Sequence, residues 1–582
     1  MSRDAISSED VLIVLILCAL IVASWLPRMT GPLDLRGDGG VYYVLGTALA
    51  EGKGYRLLNE PGEIEAVQYP PLLPAIIAAH QLVLGSNDPV IVGRWLRLTF
   101  FLIFAGYIFT SYVVLRHFLS KGYALLAILL VSLNVFTSFL SDLCFAELPF
   151  GLATMLFVLF NSRQGGRFSP LWSALSASAA YLLRTAGIAI LAAWVIDALF
   201  KRAYTQAAIR LGCALVPILA WHAYILHVES SASYSHPAYA YQRADYLFYN
   251  VSYVRNVSYR DPLSPQLGKA LRSDILTRVG NNLKQTPRSF GEAVTATQGY
   301  WTMFLDRNLK SVKDPAWKAQ LTVTVFGIFV LAGLGLQLSR GQFLIPLCIL
   351  AYLLALCLTP WPGQWPRYWA PLAPFLALAL IQCLLTIRQY VSDVLHQPIK
   401  RSSALVLGPI IGLALTVQVF TLYDSYMRDS GEAIVYDQQG RPIRYHLFYY
   451  SKQHRALDEG LDWLKRRAKP GDIIAAAMPQ WAYLRTRLKT VMPPFEADLK
   501  KGQELLDSVP VRYVIVDRTG IDVAAIMRQS TEPILRAAPQ LWREVYSGPD
   551  GLLRIYERTQ EEPGRPSTDK VYPRHGNSAF PQ

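Results

Sequence analysis

Three acidic residues stand where a chain this apolar has most reason to avoid them. Asp38 lies in LDLRGDGGVYYVLGTALAEGKGY (33–55), and Asp142 and Glu147 lie in SDLCFAELPF (141–150), close to long apolar runs. A carboxylate at the centre of a spanning helix costs about 2.5–3.5 kcal/mol on insertion scales. Acids beside such runs therefore collect in loops or in cavities lined by protein, where they are candidates for function. The work open to them there is proton transfer or the holding of a cation. Asp38 has a plainer alternative, because an Asp ahead of a helix accepts hydrogen bonds from free backbone N–H groups as an N-cap; taken alone, the two readings stand level. Tyr42, Tyr43, Glu51, Lys53 and Tyr55 make the first loop too polar for lipid, and the chain returns to the surface through QYPPLLP (68–74), so this loop is expected to line a cleft.

The elements that must position these residues follow from composition. The chain has 582 residues, 52% hydrophobic and 17% charged, with a net charge of +14, which fits neither compositional disorder nor a disulfide scaffold. Its apolar residues lie in runs long enough to cross a hydrocarbon layer of roughly 30 Å, which takes about 20 helical residues. The fold class is therefore a polytopic α-helical membrane protein. Mean hydropathy is only +0.25 because polar stretches dilute the runs, above all 229–316 and 425–582, which are expected to be folded and water-facing. Cys18, Cys213, Cys348, Cys357 and Cys383 sit inside apolar runs and only Cys144 near a polar one, so neither a disulfide framework nor a metal spacing is present. The positive charge carries no nucleic-acid-binding motif and suits membrane orientation and lipid headgroups instead.

Eleven spans are expected, at 11–27, 90–115, 122–140, 148–162, 169–184, 186–200, 207–227, 318–338, 342–358, 369–387 and 404–424. The first is a retained span and not a signal peptide: it opens on Ser7-Ser8-Glu9-Asp10 and no small-residue cleavage site precedes Pro27-Arg28. With a cytoplasmic N-terminus the short inner loops receive Arg116 and Lys121, Arg163 and Arg167, Lys201 and Arg202, Arg340, and Arg388, Lys400 and Arg401, which obeys the positive-inside rule. The segment 70–85 is apolar but short and Pro-rich, and is expected as an interfacial or re-entrant helix. An odd count puts residues 425–560 on the outer or periplasmic face of the inner (plasma) membrane. That region reads as an α/β domain, with helices around Leu457, Leu461 and Leu464 and over 495–506, and strands at 472–478, 512–517 and 552–557. It carries no phosphate loop or nucleophile elbow, so support or substrate recognition is expected of it. Residues 561–582 are expected to be disordered. The organisation is thus a membrane domain (1–424) with outer loops 28–89 and 229–316, followed by the α/β domain.

Several motifs, in this order and within this topology, resemble the polytopic GT-C glycosyltransferases that use lipid-linked donors, specifically the bacterial relatives of protein O-mannosyltransferases and of the lipid A aminoarabinose transferase. They are Asp38 with the helix-like GTALAEGKGY (46–55), YPPLLP (69–74), the acidic second loop ending Glu147-Leu148-Pro149-Phe150, YLLRTAGIA (181–189) and PRYWAPLAP (366–374). The resemblance implies transfer of a monosaccharide from a polyprenyl-phosphate carrier to a lipid, glycan or protein acceptor on the outer face, with inversion. It makes Asp38 the catalytic carboxylate and Glu147 the second acid, with Asp142 assisting or substituting. Family members often carry two adjacent acids in the first loop, whereas Asp38 is followed by Gly39 and Gly40. No metal is expected as a requirement, and a divalent ion shared between the loops is the alternative.

A lipid-phosphate leaving group calls for cations near the outer interface, and Arg367, Arg184, Arg94 and Arg97 are the candidates. Arg367 leads because Pro360, Trp361, Pro362 and Trp365 shape its short loop and Tyr368 adjoins it; an interfacial anchor is its competing reading. Tyr42, Tyr43, Tyr69 and Tyr368 are the expected substrate-lining residues. The Tyr-rich run 233–262 suits either an acceptor platform or a membrane surface, His80 reads as a satisfied polar residue, and Asn250-Val251-Ser252 and Asn256-Val257-Ser258 match the glycosylation pattern. A transporter or flippase for a lipid-linked sugar is the rival function. Transporters place ionisable groups within spans and show internal repeats, whereas the acids here lie in loops and no repeat is apparent.

Overall fold

The computed structural model describes residues 8–162, 168–308, 313–394, 396, 399–429, 431–519 and 522–559; the expected tail 561–582 lies outside them, as do Arg163 and Arg167. The chain is a multi-pass membrane protein. With no water to bond in lipid, a crossing backbone must satisfy itself, and Leu-, Ile-, Val- and Ala-rich runs do so as helices. Among the described residues six helices are long and apolar enough to cross: Ser8–Trp25, Pro89–Leu115, Tyr204–Glu229, Pro315–Ser339, Pro362–Val394 and Leu407–Tyr426. A seventh crossing results if Lys121–Ser132 and Val135–Asp142, which meet at 61°, form one span. Each expected span falls on helix, but the count of eleven is not reached on length and apolarity, because the remaining segments are short. Glu147–Ser162, Thr185–Phe200 and Leu344–Cys357 are apolar but under 18 residues. The expected 70–85 helix is Leu72–Leu84.

The shortness has local causes. Ser169–Leu183 stops at Arg184, whose backbone is extended (φ −145°, ψ 132°), before Thr185–Gly187 turns back into helix. The 61° bend falls at Asn134. Its side chain accepts from Phe136 N (2.9 Å) and donates to Ala293 O (3.1 Å) and Thr295 O (3.3 Å), so a loop of distant sequence is seated in the break.

That loop departs from expectation. Part of 229–316 is not water-facing: the helices Arg272–Val294 and Gln298–Asn308 both pack against the Pro315–Ser339 span. Phe290 meets Trp369 edge to face at 4.9 Å, Gln418 donates to Val294 O (3.3 Å), and Tyr300 bonds Ser425 (2.8 Å). The Arg272–Val294 helix is polar on average, Leu276 and Leu283 are exposed, and its buried residues are gathered towards one end, over 289–294.

The C-terminal domain holds an antiparallel hairpin, β1 (Glu432–Tyr436) and β2 (Pro442–His446), and a five-stranded sheet. The sheet consists of β3 (Ile473–Ala475), β4 (Lys489–Val491), β5 (Val511–Asp517), β6 (Trp542–Ser547) and β7 (Leu553–Arg558), in the order β4-β3-β5-β7-β6. β3 runs parallel to β4 and β5, while β7 runs antiparallel to β5 and β6. Alternation sorts β5 and β7 between two cores. Tyr513, Ile515, Leu553 and Ile555 join Leu457, Leu461 and Leu464 in the same buried cluster as the membrane helices. On the other face Val514, Val516 and Tyr556 pack with Trp542 and with Tyr239, Tyr241 and Leu247 of the 229–316 loop. The domain is built into the membrane part on both sides of its sheet.

Candidate active site

Asp38 opens the Asp38–Ala50 helix, but Gly37 is the N-cap, at φ 61° and ψ −135°, and no side chain caps there. The Asp38 carboxylate turns outward instead: Oδ1 accepts the Tyr69 hydroxyl (3.0 Å) and Oδ2 accepts Arg367 Nη2 (2.5 Å). Of its two sequence readings, the cap is not the one the geometry shows.

Glu147, fully buried, opens the Glu147–Ser162 helix. Its Oε1 accepts from Arg367 Nε and from Arg184 Nη1 (2.5 Å). Its Oε2 has no hydrogen-bond partner among the described residues. Four residues from four elements thus form one string, Asp38–Arg367–Glu147–Arg184. Arg367 lies over the Phe145 ring at 4.3 Å and Arg184 over Tyr368 at 5.3 Å, so aromatic faces support both guanidiniums. Asp38, Arg184 and Arg367 keep 17–19% side-chain exposure where Glu147 has none.

That exposure opens on a cleft of about 360 Å³ lined by Asp38, Arg184 and Arg367, by Tyr42, Tyr69 and Tyr368, and by largely apolar walls. Phe136 and Phe139, one turn apart on the helix after the bend, contribute to the walls, as do Phe145, Phe248, Tyr249, Trp361 and Met478. Tyr42 meets Tyr69 edge to face at 4.9 Å, and Tyr69 stacks on Tyr249 at 6.3 Å. Burial, and after it the nearby Asp38 carboxylate, raise the Tyr69 phenol well above its ordinary pKa, so Tyr69 keeps its proton and donates a hydrogen bond to Asp38.

Other expected site residues lie elsewhere. Asp142 is buried against Arg97 (2.6 Å) and Arg28 (3.5 Å), and its Oδ2 accepts Phe448 N (2.5 Å). Asp142 and Arg97 therefore serve each other and do not line the cleft. Arg94 is exposed near the start of Pro89–Leu115, outside the cleft. Tyr43 is buried and donates to Asn87 O (3.0 Å), on the face of its helix away from Tyr42. His80 bonds Ile76 O and Thr99 Oγ1, both at 2.8 Å. Asn250 and Asn256 are buried, which leaves neither glycosylation triplet on the surface.

Sequence reasoning missed Phe136, Phe139, Phe145 and Met478. The i, i+3 pair of phenylalanines beside Asp142 was the available signal for two of them; Met478, contributed by the C-terminal domain, had none. A divalent cation finds no matching donor set: no group of three or more His, Cys, Asp or Glu side chains converges among the described residues. The oxygens of Asp38 and Oε1 of Glu147 already face Tyr69, Arg367 and Arg184.

No protein-family model and no curated protein matches the sequence. Among solved structures, the chain is similar to the Archaeoglobus fulgidus oligosaccharyltransferase in complex with Zn and sulfate, at 13% identity and a TM-score of 0.51, over 94% of this chain and 73% of that one. The same organism's AglB, in complex with an inhibitory peptide and a dolichol-phosphate, gives a TM-score of 0.50 at 13% identity over 94% and 74%. ArnT from Cupriavidus metallidurans bound to undecaprenyl phosphate gives 0.49 at 12% over 94% and 97%. The chain has the fold of the membrane-embedded oligosaccharyltransferases, which is the GT-C fold.

Proposed function

We propose that this protein is an integral-membrane glycosyltransferase that moves a monosaccharide from a polyprenyl-phosphate carrier to a lipid, glycan or protein acceptor at the outer face of the inner membrane. The observation that carries this reading is the Asp38–Arg367–Glu147–Arg184 string at an apolar cleft. Asp38 is one hydrogen bond from Arg367, and Glu147 is one from both Arg367 and Arg184, the two cations proposed to meet the phosphate, beside walls suited to an isoprenoid. The fold it shares with AglB, an enzyme solved with a dolichol-phosphate, agrees with it. A transporter or flippase draws no comparable support.

In the reaction, Asp38 takes the proton of an acceptor hydroxyl as that oxygen bonds to the anomeric carbon. The carbon–oxygen bond to phosphate breaks, and its electron pair leaves with the polyprenyl phosphate. The charge that develops there meets N–H groups of Arg367 and Arg184 that are already in place. A single displacement of this kind inverts the anomeric carbon. Glu147 holds the two guanidiniums side by side against their mutual repulsion.

The test incubates purified protein with a panel of undecaprenyl-phosphate monosaccharides and reads release of undecaprenyl phosphate by mass spectrometry. Release by the parental protein and none by Asp38→Asn is the expected result. Failure both to bind undecaprenyl phosphate and to release it from any donor would defeat the reading. The same proposal puts the N-terminus in the cytoplasm and the C-terminal domain outside; a reporter fused after residue 560 that is active only in the cytoplasm would reverse that orientation.

A further inference from the structure

Behind the Gly37 turn lies a buried ionic cluster that the proposed reaction does not use. Arg36 is buried. Its Nη1 bonds Asp34 Oδ1 (2.9 Å) and its Nη2 bonds Asp458 Oδ2 (2.5 Å), 422 positions along the chain. Its guanidinium lies over the rings of Tyr450 (4.8 Å) and Trp481 (4.9 Å). Asp458, on the Lys452–Arg467 helix of the C-terminal domain, also accepts from Trp481 Nε1 (2.9 Å) and from the Tyr450 hydroxyl (3.1 Å). Asp34 is tied in turn to the other acidic loop, through Asp34 N to Asp142 O (3.1 Å) and Cys144 N to Asp34 O (2.9 Å).

The glycines after Asp38 belong to the same contact. A Cβ on Gly40 would fall 3.0 Å from Leu35 O, 3.1 Å from Gln480 Cβ and 3.2 Å from Trp481 N. One on Gly39 would fall 3.2 Å from Asp34 O and 3.3 Å from Cys144 Cβ. The Gly39-Gly40 pair, where a second acid was the family expectation, is where the C-terminal domain and the Cys144 segment close on the first turn of the Asp38 helix. A buried ion pair adds little net stability over a well-packed apolar contact. What it adds is direction, because each bond holds only in one geometry.

We propose that Arg36 and Asp458 are positioning residues through which the C-terminal domain sets the orientation of the Asp38 carboxylate. The domain is then a working part of the transferase and not only a docking module. This rests on the reading of Asp38 as the catalytic carboxylate. Arg36 is two residues from Asp38, and the intervening Gly37 has no side chain to fix its backbone, so a loosened Arg36 moves the carboxylate. Misplacement by about 1 Å costs on the order of 10²-fold in rate.

The test uses full-length Asp458→Asn, which keeps shape and removes the charge that Arg36 faces. Dicyclohexylcarbodiimide, a carboxyl reagent, reports the freedom of Asp38 without any substrate, read by peptide mass spectrometry. Expected are a several-fold faster labelling of Asp38, unchanged binding of undecaprenyl phosphate, and a turnover per folded molecule lower by roughly 10²-fold on whichever panel donor the parental protein uses. Trp481→Phe keeps the ring under Arg36 and removes one bond to Asp458; it gives the same shifts, smaller, and decides the matter where Asp458→Asn does not fold. Unchanged labelling and turnover in the variant that folds, with only a lowered melting temperature, would overturn the proposal. Faster labelling in a protein whose Asp38→Asn form still turns over at the parental rate would keep the positioning and remove Asp38 as the base.

Discussion

Asp142 and Glu147 stand five positions apart in one loop, both buried, and each accepts from two arginines; yet only one of them belongs to a site. Around Asp142 everything is closed. Arg28 and Arg97 are as buried as the acid itself, and its remaining oxygen takes the Phe448 N–H. Around Glu147 the arginines reach onward, to Asp38, to aromatic faces and to an open cleft, and the second carboxylate oxygen is left without a partner. A buried acid whose cations reach no cavity is architecture. A buried acid whose cations keep unspent N–H groups at a cavity is equipped to meet a ligand, which under the proposed function is a phosphate.

Substitutions test this contrast, and the largest effect belongs to the open side. Asp38→Asn should lower transfer by about 10² to 10⁴ while the melting temperature stays near parental, since the amide keeps the size and can still bond Tyr69. On the closed side, Asp142→Asn leaves Arg28 and Arg97 buried without a counter-charge, which costs about 3–5 kcal/mol of stability. Yield and melting temperature should fall, while the molecules that fold turn over at the parental rate; a catalytic defect in folded Asp142→Asn would erase the contrast. Arg367→Lys comes next: it keeps the charge but loses the two-pronged fork, and a charge-assisted bond is worth about 1.5–3 kcal/mol. Affinity for undecaprenyl phosphate should fall by roughly tenfold or more, and further in Arg367→Ala. Normal affinity in both would make Arg367 an interfacial anchor.

The smallest effect concerns His454, in the closed region beside Asp458. Burial, reinforced by Arg36, lowers its pKa to about 3, against about 6.5 in an unfolded chain. Its contribution to stability is therefore complete above pH 6.5 and is lost as pH falls from there towards 3, by at most about 1.4 kcal/mol per pH unit. Asp458 behaves differently: burial opposes its charge, but Arg36 and Arg485 hold the carboxyl below its usual range, so its contribution persists until the pH drops under about 3.8. Melting curves between pH 7 and 4 should show a slope that His454→Gln removes.

The helices and the acids were legible in the sequence for one reason, the high cost of charge in an apolar run. That cost marked Asp38 and Glu147, and with the family motifs it brought Arg184 and Arg367 into view. It could not separate Glu147 from Asp142, because the difference lies in partners such as Arg28 and Phe448, 114 and 306 positions away. The Arg272–Val294 helix was hidden for a related reason: its buried end is brief and its average polarity is that of a loop. In the C-terminal domain the expected strands coincide with β3, β5 and β7, while β1, β2, β4 and β6 were missed. β4 is only three residues long, too short for alternation to show.

The bond between Arg36 and Asp458 also has a meaning in time. A ribosome adds roughly 5–20 residues per second, so the 422 positions between the two correspond to roughly 20–80 s in which the first acidic loop is already made and its partner is not. Throughout that interval Arg36 is a cation without one of its two counter-charges, held by Asp34 alone. The nascent chain is then a membrane bundle with an unfinished cleft, and it becomes competent only after the C-terminal domain has been delivered and folded. Under the proposed positioning, synthesis interrupted before Asp458 leaves an inert product, and a later-made part of the polypeptide decides when an earlier part begins to work.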